Sequence, residues 1–300
     1  MEPNAYASPA PTVVARHATG KALLNASWGM LRQDTELLWL PLLGSLAALV
    51  AAGLLFVPGW FIGGALGGTN HHSWAGTLGG VLAAAAATVA GIYFQAALVI
   101  GANERADGGD PTLRSCLRGA WARRGRILRW GLLSATVGVA IRAVEQRLGI
   151  LGSILGFLGG LAWAIASFLV VPVVVAEDLG PVASIQRSAH LIKSTWGTSL
   201  RTTLRFGFIQ FALMLVPAVV AVIGIIAVAS GSNGVAAVGV LLLVCAVVGF
   251  IGLAMVFTAI GSYARALIYR YATGRPVPGI DPTLFAGVFE PKKRSRRRFA

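Results

Sequence analysis

The sequence predicts an all-α polytopic membrane protein: six transmembrane helices in three hairpin units, each preceded by a cytoplasmic amphipathic helix at the membrane interface. Three observations predict it. Only 12% of the 300 residues are charged and 56% are hydrophobic, whereas a soluble domain carries about 25% charged residues. The apolar residues fall in runs that reach the length of about 20 needed to cross a bilayer core. The formal net charge is +14, with Lys and Arg clustered mainly between these runs. On a soluble chain such a charge would suggest nucleic acid. On a membrane chain it first reports which loops stay in the cytoplasm.

Taken in order, the first residues, MEPNAYASPAPTVVA, have neither the basic nor the apolar segment of a cleaved signal. Residues 1–18 are expected to be a disordered leader, and the first span an uncleaved signal. Residues 19–274 form the membrane domain and 275–300 a basic cytoplasmic tail. Between Thr19 and Arg32, Leu24, Trp28 and Leu31 share one helical face. The spans are expected at about 37–62, 78–102, 127–148, 150–176, 204–229 and 235–260, the last continuing as helix to Tyr271. Gly63 to Thr77 reads as a Gly-rich loop without Lys or Arg. Asn103 to Arg126 is basic, turns at Gly109-Asp110-Pro111, and carries a helix with Leu113, Leu117 and Trp121 on one side and Arg114 and Arg118 on the other.

The third span is the weakest, because Arg129 and Arg142 bound a short uncharged stretch and Glu145 and Arg147 crowd its far end. Charge counting decides for it. With six spans and a cytoplasmic N-terminus, every Lys and Arg except Arg142 and Arg147 falls on the cytoplasmic side. Deleting the third span would turn the last two basic groups outward.

The surface helices align on tryptophan: LNASW (Leu24–Trp28), LRGAW (Leu117–Trp121) and IKSTW (Ile192–Trp196). Trp28, Trp121 and Trp196 are read as interfacial anchors. Units that begin and end on one side make a parallel threefold plan. Trp is also simply common at interfaces, so the pattern does not by itself establish duplication. Gly152, Gly156 and Gly160 form a small-residue face for helix packing. It serves packing within the bundle or, as the alternative, homodimerisation.

The segment Val171–Gly197 links the fourth span, an elbow and a surface helix. Glu177 and Asp178 precede Gly180-Pro181, and Pro181 suits a first helical turn. A clamp from Glu177 to Arg187, with Lys193 nearby, is the bland reading, and a headgroup or ion site is the sharper one. Ser184, Ser188 and His190 lie close in sequence, yet no spacing makes them a nucleophile and base, and no G-x-S-x-G is present. No catalytic, cofactor-binding or metal-ligating set is assigned, and the chain is expected not to be an enzyme. His71-His72 lacks a third nearby ligand, and Cys116 and Cys245 are too isolated for a disulfide framework.

The tail run Lys292, Lys293, Arg294, Arg296, Arg297 and Arg298, with the basic stretch 114–129, is expected to contact anionic lipid. Orientation and anchoring alone are an equal explanation. Nucleic acid is not expected, because no aromatic residues interleave the basic run. No Asp, Glu, Lys or Arg lies at mid-depth in any expected span, unlike many ion-coupled transporters. Gln95, Gln210, Pro41, Pro172 and Pro217 are the features that would suit a solute path.

Three segments, GDPTLRSCLRGAWARRGRILRWGLL (Gly109–Leu133), VVPVVVAEDLGPVASIQRSAHLIKSTWG (Val170–Gly197) and SYARALIYRYATG (Ser262–Gly274), resemble an uncharacterised six-span membrane-protein family of bacteria and archaea classed as a domain of unknown function. More distantly, Pro172, Glu177, Gly180-Pro181 and Arg187-Ser188 are similar to the non-catalytic membrane domain attached to some glycerophosphodiester phosphodiesterases. The resemblance implies a multi-pass protein of the bacterial plasma membrane with both termini cytoplasmic, and supplies no catalytic residues. The expected function is a non-enzymatic membrane module that engages anionic lipids or a partner protein. The alternative is a transporter or permease for a small or lipidic solute.

Overall fold

The computed structural model describes residues 27–67, 74–195, 200–230 and 232–275. The leader, His71-His72, Trp196 and the tail run from Lys292 to Arg298 lie outside them. Among the described residues there is no strand. Helix α1 covers residues 27–33, and a 3-10 turn, Thr35–Leu38, leads into α2, Trp39–Gly67. The other helices are α3 (Trp74–Ala106), α4 (Leu113–Ala122), α5 (Arg124–Arg147), α6 (Gly149–Ala166), α7 (Val170–Ala176), α8 (Pro181–Thr195), α9 (Leu200–Ala229) and α10 (Asn233–Ala272).

Six helical stretches are long and apolar enough to cross a membrane: Thr35–Ile62, Ala75–Ala106, Arg124–Arg147, Leu151–Ala176, Gln210–Ala229 and Gly234–Ala272. The expected number of spans is therefore met. Two details differ from expectation. Helix α2 runs through Pro58 to Gly67, so the Gly-rich connection is shorter than the sequence suggested. The fourth span is not one helix: residues 167–169 leave the helical path between α6 and α7. Pro172 explains the position of the break. Proline has no N–H to offer the carbonyl four residues back, here that of Phe168, and its ring crowds that carbonyl. In the first turn of the new helix α7 the missing donor costs nothing. The Ser167 hydroxyl donates to the Trp163 carbonyl at 2.7 Å and closes the end of α6.

Helix α2 packs along α3 and α9 along α10, while α5 packs against both α3 and α6. Glycine sets the closeness. A Cβ on Gly59 would stand 2.7 Å from the Gly79 Cα across α2 and α3, and one on Gly239 would stand 2.7 Å from the Gly224 carbonyl oxygen across α9 and α10. Bare backbones in contact are how helices gain dispersion energy where lipid removes the hydrophobic drive. Gly152 and Gly156 act the same way inside the chain. A Cβ on Gly152 would meet the Val144 and Glu145 carbonyls at 2.7 and 2.8 Å, and one on Gly156 would strike the Glu145 side chain. Nothing lies within 4 Å of a Cβ on Gly160.

The buried core is gathered at one end of the bundle. Leu31, Leu37, Leu40, Leu98, Val99, Cys116, Ile127, Val170, Val174 and Tyr263 belong to one cluster, and Leu169, Val173, Leu191, Ile268 and Tyr269 to a second. Helix α10 feeds both. Its 40 residues extend roughly 60 Å at 1.5 Å each, about twice a bilayer core. The excess carries its last turns into this end, where they pack against α3, α7 and α8.

Candidate functional site

The same end holds the buried charged residues Asp34 and Arg270 within three knots of partly buried and exposed partners, each tied to the final turns of α10. The first is Asp34, between α1 and the 3-10 turn, with a side chain only 1% exposed. A buried carboxylate is tolerable only when paired and hydrogen-bonded. Arg105, near the end of α3, donates Nε to both carboxylate oxygens at 3.0 and 2.9 Å and adds an Nη2 contact to Oδ1. The Tyr263 hydroxyl of α10 donates to Oδ2 at 3.1 Å. Arg105 also reaches exposed Asp110 at 2.6 Å. These residues were missed from sequence as a set.

The second knot joins Asp107 to Arg270, 2.5 Å apart, with the Arg270 side chain only 4% exposed. The hydrogen bond from Arg270 holds the Asp107 carboxyl below its usual value against the opposing effect of burial, and the charges of Arg270 and Arg275 add to it. Gly108, at φ +82°, supplies the left-handed turn that ends α3 there. The chain then enters α4 through a reciprocal cap. The Ser115 N–H donates to Thr112 Oγ1 at 3.1 Å, and the Thr112 N–H to Ser115 Oγ at 3.0 Å. The Ser115 hydroxyl also donates to Glu104 Oε2 at 3.1 Å.

The third knot is the elbow. Glu177 accepts from Arg187 Nε at 3.2 and 3.3 Å and from the Tyr269 hydroxyl at 2.8 Å. Helix α8 starts at Pro181, as its sequence suggested. Asp178 turns to Arg126 of α5 at 3.4 Å rather than to α8, and Arg126 also donates to the Glu177 carbonyl at 2.9 Å. Lys193 is exposed. The Ser184 hydroxyl donates to the Gly180 carbonyl at 2.9 Å, and Ser188 Oγ accepts the Leu169 N–H at 3.1 Å. Both hydroxyls thus serve backbone, and Ser188 satisfies an N–H that the break before α7 releases. Arg123 Nε donates to the Val175 carbonyl near the end of α7 at 2.8 Å.

Asp34, Glu104, Asp107, Asp110, Glu177 and Asp178 are thus all engaged within the chain. Exposed Arg114, Arg118, Arg124 and Arg129 make no ion pair among the described residues. The surface of α4 and the start of α5 is therefore cationic, while among the described residues of this end exposed Glu36 is the acid outside the knots. The tryptophans differ in setting. Trp28 packs on the main cluster with Arg32 5.0 Å over its ring, whereas Trp121 is exposed under Arg124 at 5.2 Å. The inner face of α4 is Cys116 and Ala120, so Trp121 does not join it. Burial pushes the Cys116 thiol up to about 11, which keeps it protonated and inert.

Six apolar helices with a charged, cross-linked base at one end define a multi-pass α-helical membrane protein. Residues 85–277, more than half of the chain, match a family described as "Family of unknown function (DUF6159)". The chain belongs to that family. No curated protein and no solved structure matches it.

Proposed function

We propose that this chain is a non-enzymatic module of the bacterial plasma membrane that engages anionic lipid through the arginine face of α4 and α5, with both termini in the cytoplasm. In this reading α1, α4 and α8 lie on the cytoplasmic surface of the bilayer. The observation that carries the reading is the division of charge at the polar end. Among the described residues six of its acids are consumed by internal partners, with Glu36 the exception, and Arg114, Arg118, Arg124 and Arg129 are left outside. A basic residue beside an anionic membrane surface contributes about 1 kcal/mol, falling off within a Debye length. Four of them give about 4 kcal/mol before the run from Lys292 to Arg298 is added.

Reconstitution with spin-labelled phosphatidylglycerol or phosphatidylcholine tests this. The protein should immobilise the anionic lipid preferentially, and replacing the four arginines with glutamine should bring the preference toward parity, as should high salt. Equal association of both lipids with the unaltered protein would refute the lipid reading. A preference for a protein with an acidic surface, lost with the same substitutions, would assign the face to a partner protein instead. A permease for a small or lipidic solute is the second reading, favoured by the break between α6 and α7, because interrupted spans often line solute sites.

A further inference from the structure

Helix α10 carries two arginines near its end, and their settings differ. Arg270 is buried against Asp107. Arg265, inside the stretch Gly234–Ala272, is partly buried and makes no ion pair or hydrogen bond among the described residues. It faces the ring of Phe168, whose centroid lies 5.6 Å from the guanidinium carbon. A cation over an aromatic face is attracted to the ring, but the ring accepts no conventional hydrogen bond. It leaves the five N–H donors of the guanidinium without an acceptor among the described residues.

Two geometric facts set Arg265 apart from an interfacial arginine reaching for water. The guanidinium folds back along α10: its Nη2 lies 3.8 Å from where a Cβ on Gly261 would stand. Helical side chains lean toward the N-terminus, and in α10 that direction leads away from the polar end. The charge therefore sits about one turn deeper than its own Cα. Phe168 belongs to the three residues that break the fourth span, so the guanidinium stands beside interrupted backbone. Thr258, two turns back on the same side of α10, is exposed, while Gly261 and Arg265 are part-buried.

We infer that Arg265, with Phe168 as its floor, binds a single phosphate-bearing anion at the break between α6 and α7. A tetrahedral phosphate offers acceptor oxygens to the two-pronged guanidinium, and Arg is suited to that bidentate pairing. The phosphate of a membrane lipid and a free phosphate share this chemistry. The site is separate from the arginines of α4 and α5 and stands whether or not that outer face selects lipid.

The test uses the full chain in detergent, stripped of lipid and offered phosphatidylglycerol and phosphatidylcholine in mixed micelles, with bound lipid counted by native mass spectrometry. A parallel arm measures thermal stabilisation by inorganic phosphate. The unaltered protein should retain one anionic phospholipid. Arg265→Gln should lower its occupancy about tenfold, the loss of a charge-assisted hydrogen bond of about 1.4 kcal/mol. Arg265→Lys keeps the charge without the fork and should fall between, which guards against a misfolded glutamine variant. Arg114→Gln with Arg118→Gln should leave the tight lipid in place. Stabilisation by inorganic phosphate without lipid retention, lost in Arg265→Gln, would assign the site to a soluble phosphate. Equal lipid retention and equal phosphate response in the unaltered protein and Arg265→Gln would overturn the inference. Loss of the tight lipid only in the α4–α5 variants would overturn it too, while leaving the proposed function standing.

Discussion

The two ends of the bundle are built on different physics. At the polar end Leu31, Leu37 and Leu40 are 0% exposed, and acids are tied to arginines and tyrosines from distant parts of the chain. Toward the other end Leu49 and Leu54 of α2 are 71% and 70% exposed, and α9 and α10 present Phe211, Ile226, Leu241 and Val248 outward. An exposed apolar surface of that extent suits lipid rather than water. The difference teaches that the spans supply insertion, while the arrangement of the chain is specified where burial and pairing coincide. Tyr263, Tyr269 and Arg270 of α10 each close a knot begun elsewhere, so the last helix is the hub of the polar end.

Substitutions should separate the ends by size of effect. The largest is expected from Asp34→Ala, which leaves Arg105 without its buried carboxylate and the Tyr263 hydroxyl without its acceptor. Removing one partner of a buried pair costs about 3–5 kcal/mol. Leu54→Ala, at a lipid-facing position, should stay within about 0.5 kcal/mol. Denaturant unfolding in detergent measures both, and comparable losses would dissolve the distinction. Next comes the glycine row of α6. Gly156→Val pushes into Glu145 and should destabilise by about 1–3 kcal/mol through overpacking. Gly160→Val meets open space and should be close to neutral. If Gly160→Val also changed the oligomeric state in detergent, that part of the row would be an interface between copies.

The six spans were legible in the sequence, because apolar runs of sufficient length are separated by basic clusters. The third span, weak by hydropathy, was legible from charge. The interruption at residues 167–169 was legible only through Pro172 as a possible helix breaker, because Ser167, Phe168 and Leu169 read as ordinary span residues and Pro172 itself stands inside the following helix. The elbow was read in part. Glu177 with Arg187 lies within ten residues, whereas Asp178 with Arg126 needs the fold. The Asp34 knot was not legible, since Arg105 is 71 residues away and Tyr263 is 229. The available signal was the scarcity of acids, 11 in the chain, which makes an aspartate beside a span worth a search for partners.

Smaller effects sharpen the account of the knots. Tyr269→Phe removes one hydrogen bond to Glu177 and should cost about 1 kcal/mol. A larger loss would mean that the elbow depends on Tyr269 for more than this bond. The Asp107 carboxyl is held below its unfolded value, about 3.9 for Asp. Its contribution is therefore fully present above that pH and is lost as pH falls through the folded-state value. Asp107→Asn should flatten this acid limb of the stability profile. The effect should be small and salt-sensitive, because the Asp107 side chain is 65% exposed.

The most direct measurement is a double-substitution cycle between Asp34→Asn and Tyr263→Phe, with unfolding followed in detergent. Residues joined by a hydrogen bond in one network couple by about 0.5–3 kcal/mol, whereas distant sites add. A coupling of about 1 kcal/mol or more is expected between these two, and none between Asp34→Asn and Gly160→Val. Strict additivity of Asp34→Asn with Tyr263→Phe would contradict a polar end closed by α10.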